Sequence, residues 1–463
     1  MVKIFQILLI FITSLLLAAC GGGGGGGGSS GEAVGGGAIP QCSENASYVD
    51  GEYNFMGNAG TYTSTNLYGL GSVCASAAYG RGATGDGQLI AVLDSGISVG
   101  EGTTTDLNQI NSNIATFLTG SDVINSDNVP QDDDNNNNTA LGSGHGSHVA
   151  GLIANEHNNS SFGGHGIAYD ATLHIIKVLD EDGSGSFAQI AAGMDLARGV
   201  SSMDIVNLSL GSSGVIGSTC DSASSCETAL GSTIYTAMEA LGSASIIQVY
   251  AAGNDGNSSP NTLAGAAIYD DDFKETTVIA VAIDSTGNLA SYSDKCGVAK
   301  AICIAAPGSS LYSFFSSNAQ SSYAVNDYAQ AMSGTSQAAP LVSGGLALIK
   351  QEFSSLTNAQ VIDRLLATAL DTGEYSKSTI YGHGLMNLNG ATAAVAKLQT
   401  INGSNLLDDP NTSYYDLAHN SFLSSAAFSN ALNNALAGHT MEVYDSFDRA
   451  NFDVAVNSFF TSG

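Results

Sequence analysis

The stretch Gln88-Leu89-Ile90-Ala91-Val92-Leu93-Asp94-Ser95-Gly96-Ile97 begins as an almost wholly apolar run and ends on an acid, a serine and a glycine. Apolar residues in unbroken succession are typical of a strand that is covered on both faces of its sheet. Asp94 follows at the carboxyl end of this strand, and open parallel sheets place their sites at that edge. The stretch therefore predicts a buried parallel strand with Asp94 at its functional end.

Similar apolar runs alternate with helical patterns over the following 260 or so residues. Strands are predicted at 89–93, 173–178, 205–208, 246–251, 277–283 and 301–305, and helices at 187–198, 228–241 and 338–352. Apolar strands separated by helices indicate a parallel sheet with helices on both of its faces. We therefore expect an α/β fold with a doubly wound, mostly parallel sheet in three layers, α/β/α.

Two further runs carry a histidine and a serine at the starts of predicted helices, Gly144-His145-Gly146-Ser147-His148 and Gly334-Thr335-Ser336. A serine hydroxyl is a poor nucleophile at neutral pH, and it needs a base such as imidazole, whose pKa lies near the working pH. A carboxylate such as Asp94 would hold the imidazole in the right tautomer and stabilise the imidazolium. The chain order Asp, His, Ser is one of those found in convergent catalytic triads.

A fourth candidate residue follows the predicted strand 246–251. That strand continues into Ala252-Gly253-Asn254, so a side-chain amide lies at the same edge of the sheet as Asp94. An amide N–H at such a position can donate a hydrogen bond to the oxyanion of a tetrahedral intermediate. Asn254 is therefore the predicted oxyanion-hole donor.

Each of these residues also has a simpler interpretation when it is taken alone. Ser336 at a helix start could be an ordinary cap. His145 and His148 could bind a metal, although no glutamate follows at the spacing of zinc-hydrolase motifs. Asp94 and Asn254 could be turn residues. The catalytic interpretation depends on all of these residues occurring in the correct order and strand context.

Taken together, the segments resemble those of the subtilisin-like serine proteases, the subtilase family, from about residue 85 to about residue 398. The resemblance implies that Asp94 is the triad acid, His145 the general base, Ser336 the nucleophile and Asn254 the oxyanion donor. It also implies substrate-binding segments that contain Ser209, Leu210, Gly211, Ala251, Ala252 and Gly253.

Two motif positions depart from the common family pattern. Ser147 stands where a threonine is more frequent, and the serine motif continues with Gln337. Both departures leave the reacting atoms in place, and the predicted chemistry is unaffected.

The amino terminus has the pattern of an exported protein. Residues 1–19 resemble a signal peptide, and Leu17-Ala18-Ala19-Cys20 resembles a bacterial lipobox, which would make Cys20 a lipidated mature terminus. The alternative is an ordinary signal peptide with a chance cysteine. Eight glycines follow Cys20, and the stretch 20–40 is predicted to be a flexible tether. We expect a cell-envelope location, at the outer membrane or cell surface, with release outside the cell as an alternative.

The order of lipobox, glycine tether and peptidase resembles that of surface-anchored autotransporter proteases. The predicted organisation is a signal at 1–19, a tether at 20–40, an extension at 41–84, a peptidase domain at 85–398 and a C-terminal extension at 399–463. Apolar residues at helical spacing in 420–437 predict a helix packed on the catalytic domain, unless the chain is a fragment of something longer.

An even number of cysteines remains after Cys20 is set aside, which in an exported chain suggests disulfides. Pairing neighbours in sequence closes the shortest loops, but the connectivity stays open, and buried free thiols are the alternative. The candidates are Cys42, Cys74, Cys220, Cys226, Cys296 and Cys303.

The charge balance narrows the range of partners. With 42 acidic and 12 basic residues, the net charge of −30 disfavours nucleic acids and anionic lipid surfaces. Membrane attachment would then depend on the lipid at Cys20. We expect polypeptide substrates and a monomer.

No cofactor is expected for the chemistry itself. The oxygen-rich run Asp132-Asp133-Asp134 to Asn138 would suit a structural calcium ion, but we favour a solvated acidic loop. The leading hypothesis is a lipid-anchored serine endopeptidase that forms an acyl-enzyme. The alternative is a catalytically silent surface binding or adhesion lipoprotein with the same fold.

Overall fold

The structure is a computed structural model, and it describes residues 68–97, 113–132, 144–156, 165–180, 182–314 and 329–393. It also describes the backbone of short strands between residues 398 and 462. Cys20, Cys42 and the glycine tether lie outside the described residues.

A six-stranded sheet forms the centre of the molecule, in the order β2-β1-β3-β4-β5-β6, and every neighbouring pair is parallel. The strands are β1 (Leu89–Asp94), β2 (Thr172–Lys177), β3 (Ile205–Leu208), β4 (Ile247–Ala251), β5 (Thr277–Ile283) and β6 (Cys303–Pro307). Because neighbouring strands run the same way, their carboxyl ends share one edge.

Helices cover both faces of this sheet. They are α1 (Tyr68–Ser72), α2 (Ala75–Gly80), α3 (His145–Ala154), α4 (Phe187–Arg198), α5 (Ala223–Leu230), α6 (Ser232–Ser243), α7 (Thr262–Gly265), α8 (Asp271–Lys274), α9 (Thr335–Glu352), α10 (Asn358–Ala367), α11 (Ser378–Tyr381) and α12 (Leu388–Ala391). Short 3-10 turns occupy Ala266–Tyr269, Gly297–Ile302 and Gly373–Ser376.

Two separate hydrophobic clusters show how the layers pack. Along β1, Ile90 and Val92 enter the cluster that contains α3 and α9, whereas Ala91 and Leu93 enter the cluster that contains α4 and α6. Successive side chains of a strand point to opposite faces, so an unbroken apolar run is what a doubly covered strand requires. The predicted α/β/α fold is confirmed.

Two elements predicted for the peptidase domain differ from the structure. The helix predicted at 228–241 is two helices, α5 and α6, because Gly231 between them has a φ of 90° and ends the first helix. The strand predicted at 301–305 begins two residues later, because the 3-10 turn Gly297–Ile302 occupies the residues before Cys303.

Two predicted disulfides are present in the described residues. Cys220 bonds to Cys226 and Cys296 bonds to Cys303, both over short loops. Cys74 is also disulfide-bonded, and its predicted partner Cys42 lies outside the described residues.

The two ends of the described chain add smaller elements. Residues of α1 and α2, such as Leu70 and Ala78, belong to the same hydrophobic cluster as α3 and α9. Beyond residue 398, strands β9 (Leu398–Ile401), β10 (Tyr414–Asp416), β12 (Thr440–Asp445) and β13 (Asn451–Ala455) form an antiparallel sheet in the order β10-β9-β12-β13.

Two more short strands, β11 (Phe422–Ser424) and β14 (Phe460–Ser462), pair in parallel. A strand at Phe422–Ser424 means that the helix predicted for 420–437 is wrong in that part; residues 425–437 lie outside the described residues. No helix in the described part of the chain is long and apolar enough to cross a membrane.

The antiparallel hairpin β7 (Leu311–Phe314) and β8 (Ala329–Met332) lies outside the main sheet and leads directly toward α9.

Candidate active site

Asp94 is the last residue of β1, and its carboxylate is almost completely buried at the carboxyl edge of the sheet. Its Oδ1 accepts a hydrogen bond from the backbone N–H of Ser95 at 2.8 Å. Its Oδ2 is buried and has no hydrogen-bond partner among the described residues. The position at the end of a strand that is buried from Ile90 to Asp94 holds this carboxylate in one place.

His145 is the first residue of α3, and its Nδ1 lies 2.7 Å from Asp94 Oδ1. Gly146 allows this close approach, because a methyl group on its Cα would overlap the carbonyl oxygen of Gly96. The backbone N–H of Gly146 also donates to Ser95 Oγ at 2.9 Å. The start of α3 is therefore fastened to the residues that follow β1.

The pKa of His145 results from opposing effects. Burial disfavours the imidazolium and lowers the pKa, but the charge of Asp94, the hydrogen bond to Asp94 and the charge of Asp132 together raise it above its usual value. Because Nδ1 is engaged by Asp94, Nε2 is the ring nitrogen that remains to accept a proton from a nucleophile.

Asp132 was predicted to lie in a solvated acidic loop, and for this residue the prediction is wrong. Its side chain is buried, and Oδ2 accepts a hydrogen bond from Ser147 Oγ at 3.0 Å. Residues 133–138 of the predicted calcium site lie outside the described residues.

Ser336 is the second residue of α9, where the structure places its hydroxyl against the segment after β3. Its Oγ donates to the carbonyl oxygen of Ser209 at 3.1 Å, and Ser209 Oγ donates to the carbonyl oxygen of Ser336 at 2.8 Å. The helix has no side-chain cap hydrogen bond at its start, so the simple cap interpretation of Ser336 is wrong. No hydrogen bond joins Ser336 to His145 in this conformation of the described residues.

A buried polar network lies beneath this serine. Asn207 Nδ2 donates to Ser209 Oγ at 2.9 Å, and Ser343 Oγ donates to Asn207 Oδ1 at 2.9 Å. The network connects the middle of α9 to the residue that contacts Ser336.

Asn254 is held by its oxygen, which leaves its nitrogen available. Oδ1 accepts hydrogen bonds from the Thr335 backbone N–H at 2.8 Å and from Thr335 Oγ1 at 3.1 Å. Nδ2 has no hydrogen bond to the described residues. A methyl group on Gly334 would lie 3.3 Å from this Nδ2 and 3.5 Å from the Ser336 nitrogen. Asn254 Nδ2 and the Ser336 nitrogen therefore both lie close to the position of this methyl group. Both can donate a hydrogen bond there, because the backbone N–H of Ser336 has no partner within the first turn of α9.

Thr335 was not among the residues that the sequence predicted for the site. Its hydroxyl donates to Asn254 Oδ1 and accepts a hydrogen bond from the Gly253 backbone N–H at 3.1 Å. It joins the Asn254 segment to the first turn of α9. The triplet Gly334-Thr335-Ser336 was visible in the sequence, but nothing in it indicates which distant amide the threonine binds.

Asp294 is a second residue that the sequence analysis missed. Its buried carboxylate accepts from the backbone N–H of Asn257 at 2.6 Å and of Asp255 at 3.2 Å. Burial raises the pKa of Asp294, and its hydrogen bonds from Asn257 and Asp255 oppose that rise. Gly253 has a φ of 121°, and a methyl group there would overlap Asp294 Oδ2. Asp294 therefore supports the turn that carries Asn254.

The two predicted substrate-binding segments lie next to one another. Ser209 and Leu210 are buried, as are Ala251 and Ala252, whereas Gly211 is exposed. Asn261, which the sequence analysis missed, holds the two segments together through hydrogen bonds. Its Nδ2 donates to the carbonyl oxygens of Ala251 and Ala252 at 3.0 and 2.9 Å. Its Oδ1 accepts from the backbone N–H of Ser212 at 3.3 Å.

The two histidines of α3 do not form a shared metal site in the described residues. His148 is buried, and its Nε2 lies 3.0 Å from the carbonyl oxygen of Leu311. The carboxylates of Glu239, Asp270 and Asp272 lie within 4.8 Å of one another, but Tyr235 already donates to Asp270 at 2.7 Å. Partly exposed acidic groups of this kind are common without an ion.

Comparison with known proteins identifies the family. Residues 85–384 match the model of the subtilase family of peptidases. The chain belongs to the subtilase family.

Two relatives and one solved structure show how much of this subtilase the similarity covers. It is 35% identical over 325 residues to Subtilisin Savinase of Lederbergia lenta, an alignment that covers 70% of this chain and 98% of the relative. It is 34% identical over 326 residues to Subtilisin DY of Bacillus licheniformis, covering 70% and 97% of the two chains. A solved protease from Pseudoalteromonas arctica is 27% identical, with a TM-score of 0.52, and covers 69% of this chain and 93% of that one.

The family membership confirms the predicted enzyme class. This subtilase is a serine endopeptidase, and its substrates are polypeptides.

Proposed function

We propose that this subtilase cleaves polypeptides through an acyl-enzyme at Ser336, with His145 as general base, Asp94 as its orienting acid and Asn254 as oxyanion donor. The observation that carries this proposal is the 2.7 Å bond between His145 and Asp94, at the carboxyl edge of the sheet. The bond between Asn254 and Thr335 supports it, because it fastens the amide beside Ser336.

The proposed reaction begins with a rotation of the Ser336 hydroxyl away from the Ser209 carbonyl and toward His145 Nε2. Hydrogen bonds in catalytic sites are often long or misaligned before substrate binds, so the resting 3.1 Å bond to Ser209 is compatible with this step. As Ser336 Oγ bonds to the scissile carbonyl carbon, its proton passes to His145 Nε2, and the carbonyl oxygen becomes an oxyanion.

Breakdown of the tetrahedral intermediate then releases the amine. His145 returns the proton to the leaving nitrogen as the carbon–nitrogen bond breaks, which leaves an ester on Ser336. Water then bonds to the ester carbon as its proton passes to His145. The carbon–oxygen bond to Ser336 breaks as His145 returns the proton to Ser336 Oγ, and the carboxylic acid is released. Asn254 Nδ2 and the Ser336 N–H would stabilise the oxyanion in both halves of the reaction.

Substrate would bind between the two segments that Asn261 fastens together. Ser209, Leu210 and Gly211 would lie along one side of the peptide, and Ala251, Ala252 and Gly253 along the other. Exposed backbone at Gly211 supports this proposal, because an extended peptide pairs with free backbone groups.

A fluorophosphonate probe tests the catalytic proposal. We expect the probe to label the wild-type protein at Ser336, and we expect Ser336→Ala to remain folded without being labelled. Ser333→Ala, a change at the exposed serine of the same run, is the matched control and should still be labelled. Folded wild-type protein that takes up no label and cleaves no peptide would contradict the proposal. It would favour the alternative of a catalytically silent surface binding or adhesion lipoprotein.

We further propose that Cys20 is lipidated and anchors the enzyme at the outside of a bacterial cell as a monomer. The run Leu17-Ala18-Ala19-Cys20 and the following eight glycines support this proposal. The net charge of −30 supports a lipid anchor over a basic membrane-binding patch, and it disfavours nucleic acid as a partner.

Metabolic labelling with a fatty acid tests the anchor. Wild-type protein should incorporate label and partition with membranes, whereas Cys20→Ser should do neither and should retain its peptidase activity. Cys42→Ser, which removes a cysteine outside the lipobox, should still incorporate the fatty-acid label. Equal membrane partitioning of wild type and Cys20→Ser would contradict the proposal.

A further inference from the structure

Gln337 directly follows the proposed nucleophile in the first turn of α9, and its side chain is only 2% exposed. A carboxamide has two N–H donors and one acceptor oxygen, all of which need partners when water is excluded. No atom of this side chain takes part in the proposed acyl-enzyme reaction.

The carboxamide of Gln337 has an unpartnered donor. Its Nε2 is buried and makes no hydrogen bond within the described residues. A buried amide nitrogen without an acceptor is costly, and such groups are rare in native structures unless they have a function. The acceptor that is missing in the resting enzyme can be supplied by a bound ligand.

The position of the carboxamide indicates which ligand atom that would be. A methyl group on Gly334 would lie 2.9 Å from Gln337 Oε1, 3.3 Å from Asn254 Nδ2 and 3.5 Å from the Ser336 nitrogen. The Gln337 carboxamide therefore flanks the same small space as the two proposed oxyanion donors.

A rotation about the last side-chain torsion of Gln337 exchanges the positions of Oε1 and Nε2. The terminal torsion of glutamine is broad and roughly two-fold, so exchanging Oε1 and Nε2 needs little movement of other atoms. After this exchange, Nε2 faces the space that Asn254 Nδ2 and the Ser336 N–H flank. A negatively charged oxygen formed there would give this nitrogen its acceptor.

We propose that Gln337 is a catalytic residue that supplies a third hydrogen-bond donor to the oxyanion of the tetrahedral intermediate. This inference rests on the proposed function of Ser336 and Asn254. Because the acceptor carries its full charge only in the transition state and intermediate, the bond raises kcat more than it strengthens substrate binding. The donor is neutral, so its contribution is independent of pH.

The test compares Gln337→Met, which keeps the length of the side chain and removes both N–H groups, with wild type. We expect kcat to fall at least about tenfold while KM changes less than about twofold; loss of one primary oxyanion donor in another subtilase costs roughly 100-fold to 1,000-fold. A peptide aldehyde, which forms a hemiacetal with the serine, should bind more weakly by the same factor as kcat falls. A product-like peptide acid should bind equally well to both proteins.

Gln337→Glu is the second variant, and it keeps the shape of the side chain while placing a carboxylate beside the developing oxyanion. It should lose more activity than Gln337→Met, because like charges repel. Gln351→Met, the same substitution near the far end of the same helix, removes the hydrogen bonds from the Thr84 and Gly85 backbone N–H groups and so controls for a loss of stability far from Ser336. Fluorophosphonate titration gives the fraction of folded, reactive sites for each protein.

The outcomes separate the two proposals. If Gln337→Met and Gln337→Glu keep the wild-type kcat and aldehyde affinity within about twofold, the inference about Gln337 is overturned while the triad stands. If the wild type itself neither reacts with the probe nor cleaves peptides, both proposals fall.

Discussion

At the scale of single residues, the state of His145 depends on which environmental effect prevails. Burial favours the neutral ring, but two carboxylates oppose it: Asp94 at 2.7 Å, and Asp132, which acts through its charge. The carboxylates prevail, and the pKa of His145 is raised above its usual 6.5. As the proposed base, His145 must be neutral to accept the Ser336 proton, so a raised pKa keeps it inactive up to a higher pH.

The pH dependence of kcat/KM follows from this balance. Activity should rise with pH through an apparent pKa above 6.5 and should be lost as the pH falls below that value. Asp132→Asn removes one of the charges that raise the pKa, so its acid limb should move to lower pH.

Measuring kcat/KM from pH 5 to 9 for both proteins checks this prediction. Asp271→Asn, at a side chain that is 97% exposed, should leave the profile unchanged. An acid limb that is the same in Asp132→Asn and wild type would show that Asp132 does not act on His145.

At the scale of elements, the close contact between the end of β1 and the start of α3 depends on Gly146. Gly146 lies so close to Gly96 that no side chain fits between them, and its N–H binds Ser95. The helix start therefore rests directly on the turn after the strand, and His145 and Asp94 are brought within hydrogen-bond distance.

Gly146→Ala should separate these two elements. Its methyl group would overlap the Gly96 carbonyl, so α3 must shift, and a displacement of about 1 Å in a catalytic group can cost roughly 100-fold in rate. Overpacking of this kind also destabilises a fold by about 1–3 kcal/mol.

Gly71→Ala in α1 is the matched control, because no atom lies within 4 Å of its added methyl group. It should keep full activity, and the higher helix propensity of alanine should leave stability equal or slightly greater. Full activity of Gly146→Ala in a peptide assay, with an unchanged melting temperature, would contradict the proposed role of this contact.

At the scale of the whole molecule, charge is the dominant feature. A net charge of −30 creates self-repulsion that opposes the folded state. Few basic side chains offset it, and the described ion pairs are mostly partly exposed, so their individual contributions are small.

Salt should therefore stabilise the protein. Raising NaCl from about 10 mM to about 1 M shortens the screening length from roughly 30 Å to roughly 3 Å and weakens the repulsion. We expect the melting temperature at pH 7 to rise over this range.

The same salt series at pH 5 is the control. Near the sequence isoelectric point of 4.1 the net charge is smaller, so the salt effect should shrink. A melting temperature that falls with increasing salt at pH 7 would show that repulsion between the acidic side chains does not determine how stability responds to salt.

Much of the fold was predictable because its signals are local. The unbroken apolar run at 89–93 indicates a doubly covered strand, and the strands and helices that follow it alternate in the order of a parallel sheet. The break at Gly231 was missed, because a glycine with positive φ and a tolerated glycine within a helix look alike in sequence.

The sequence alone determined the family, the sheet and the candidate residues Asp94, His145, Ser336 and Asn254, because each lies in a short motif at the end of a strand or the start of a helix. Only the tertiary structure decided what supports them. The bond of Thr335 to Asn254 and the buried donor of Gln337 are properties of packing between segments far apart in the chain. Neither leaves a periodic or local pattern, since burial and hydrogen-bond partners exist only once the chain has folded.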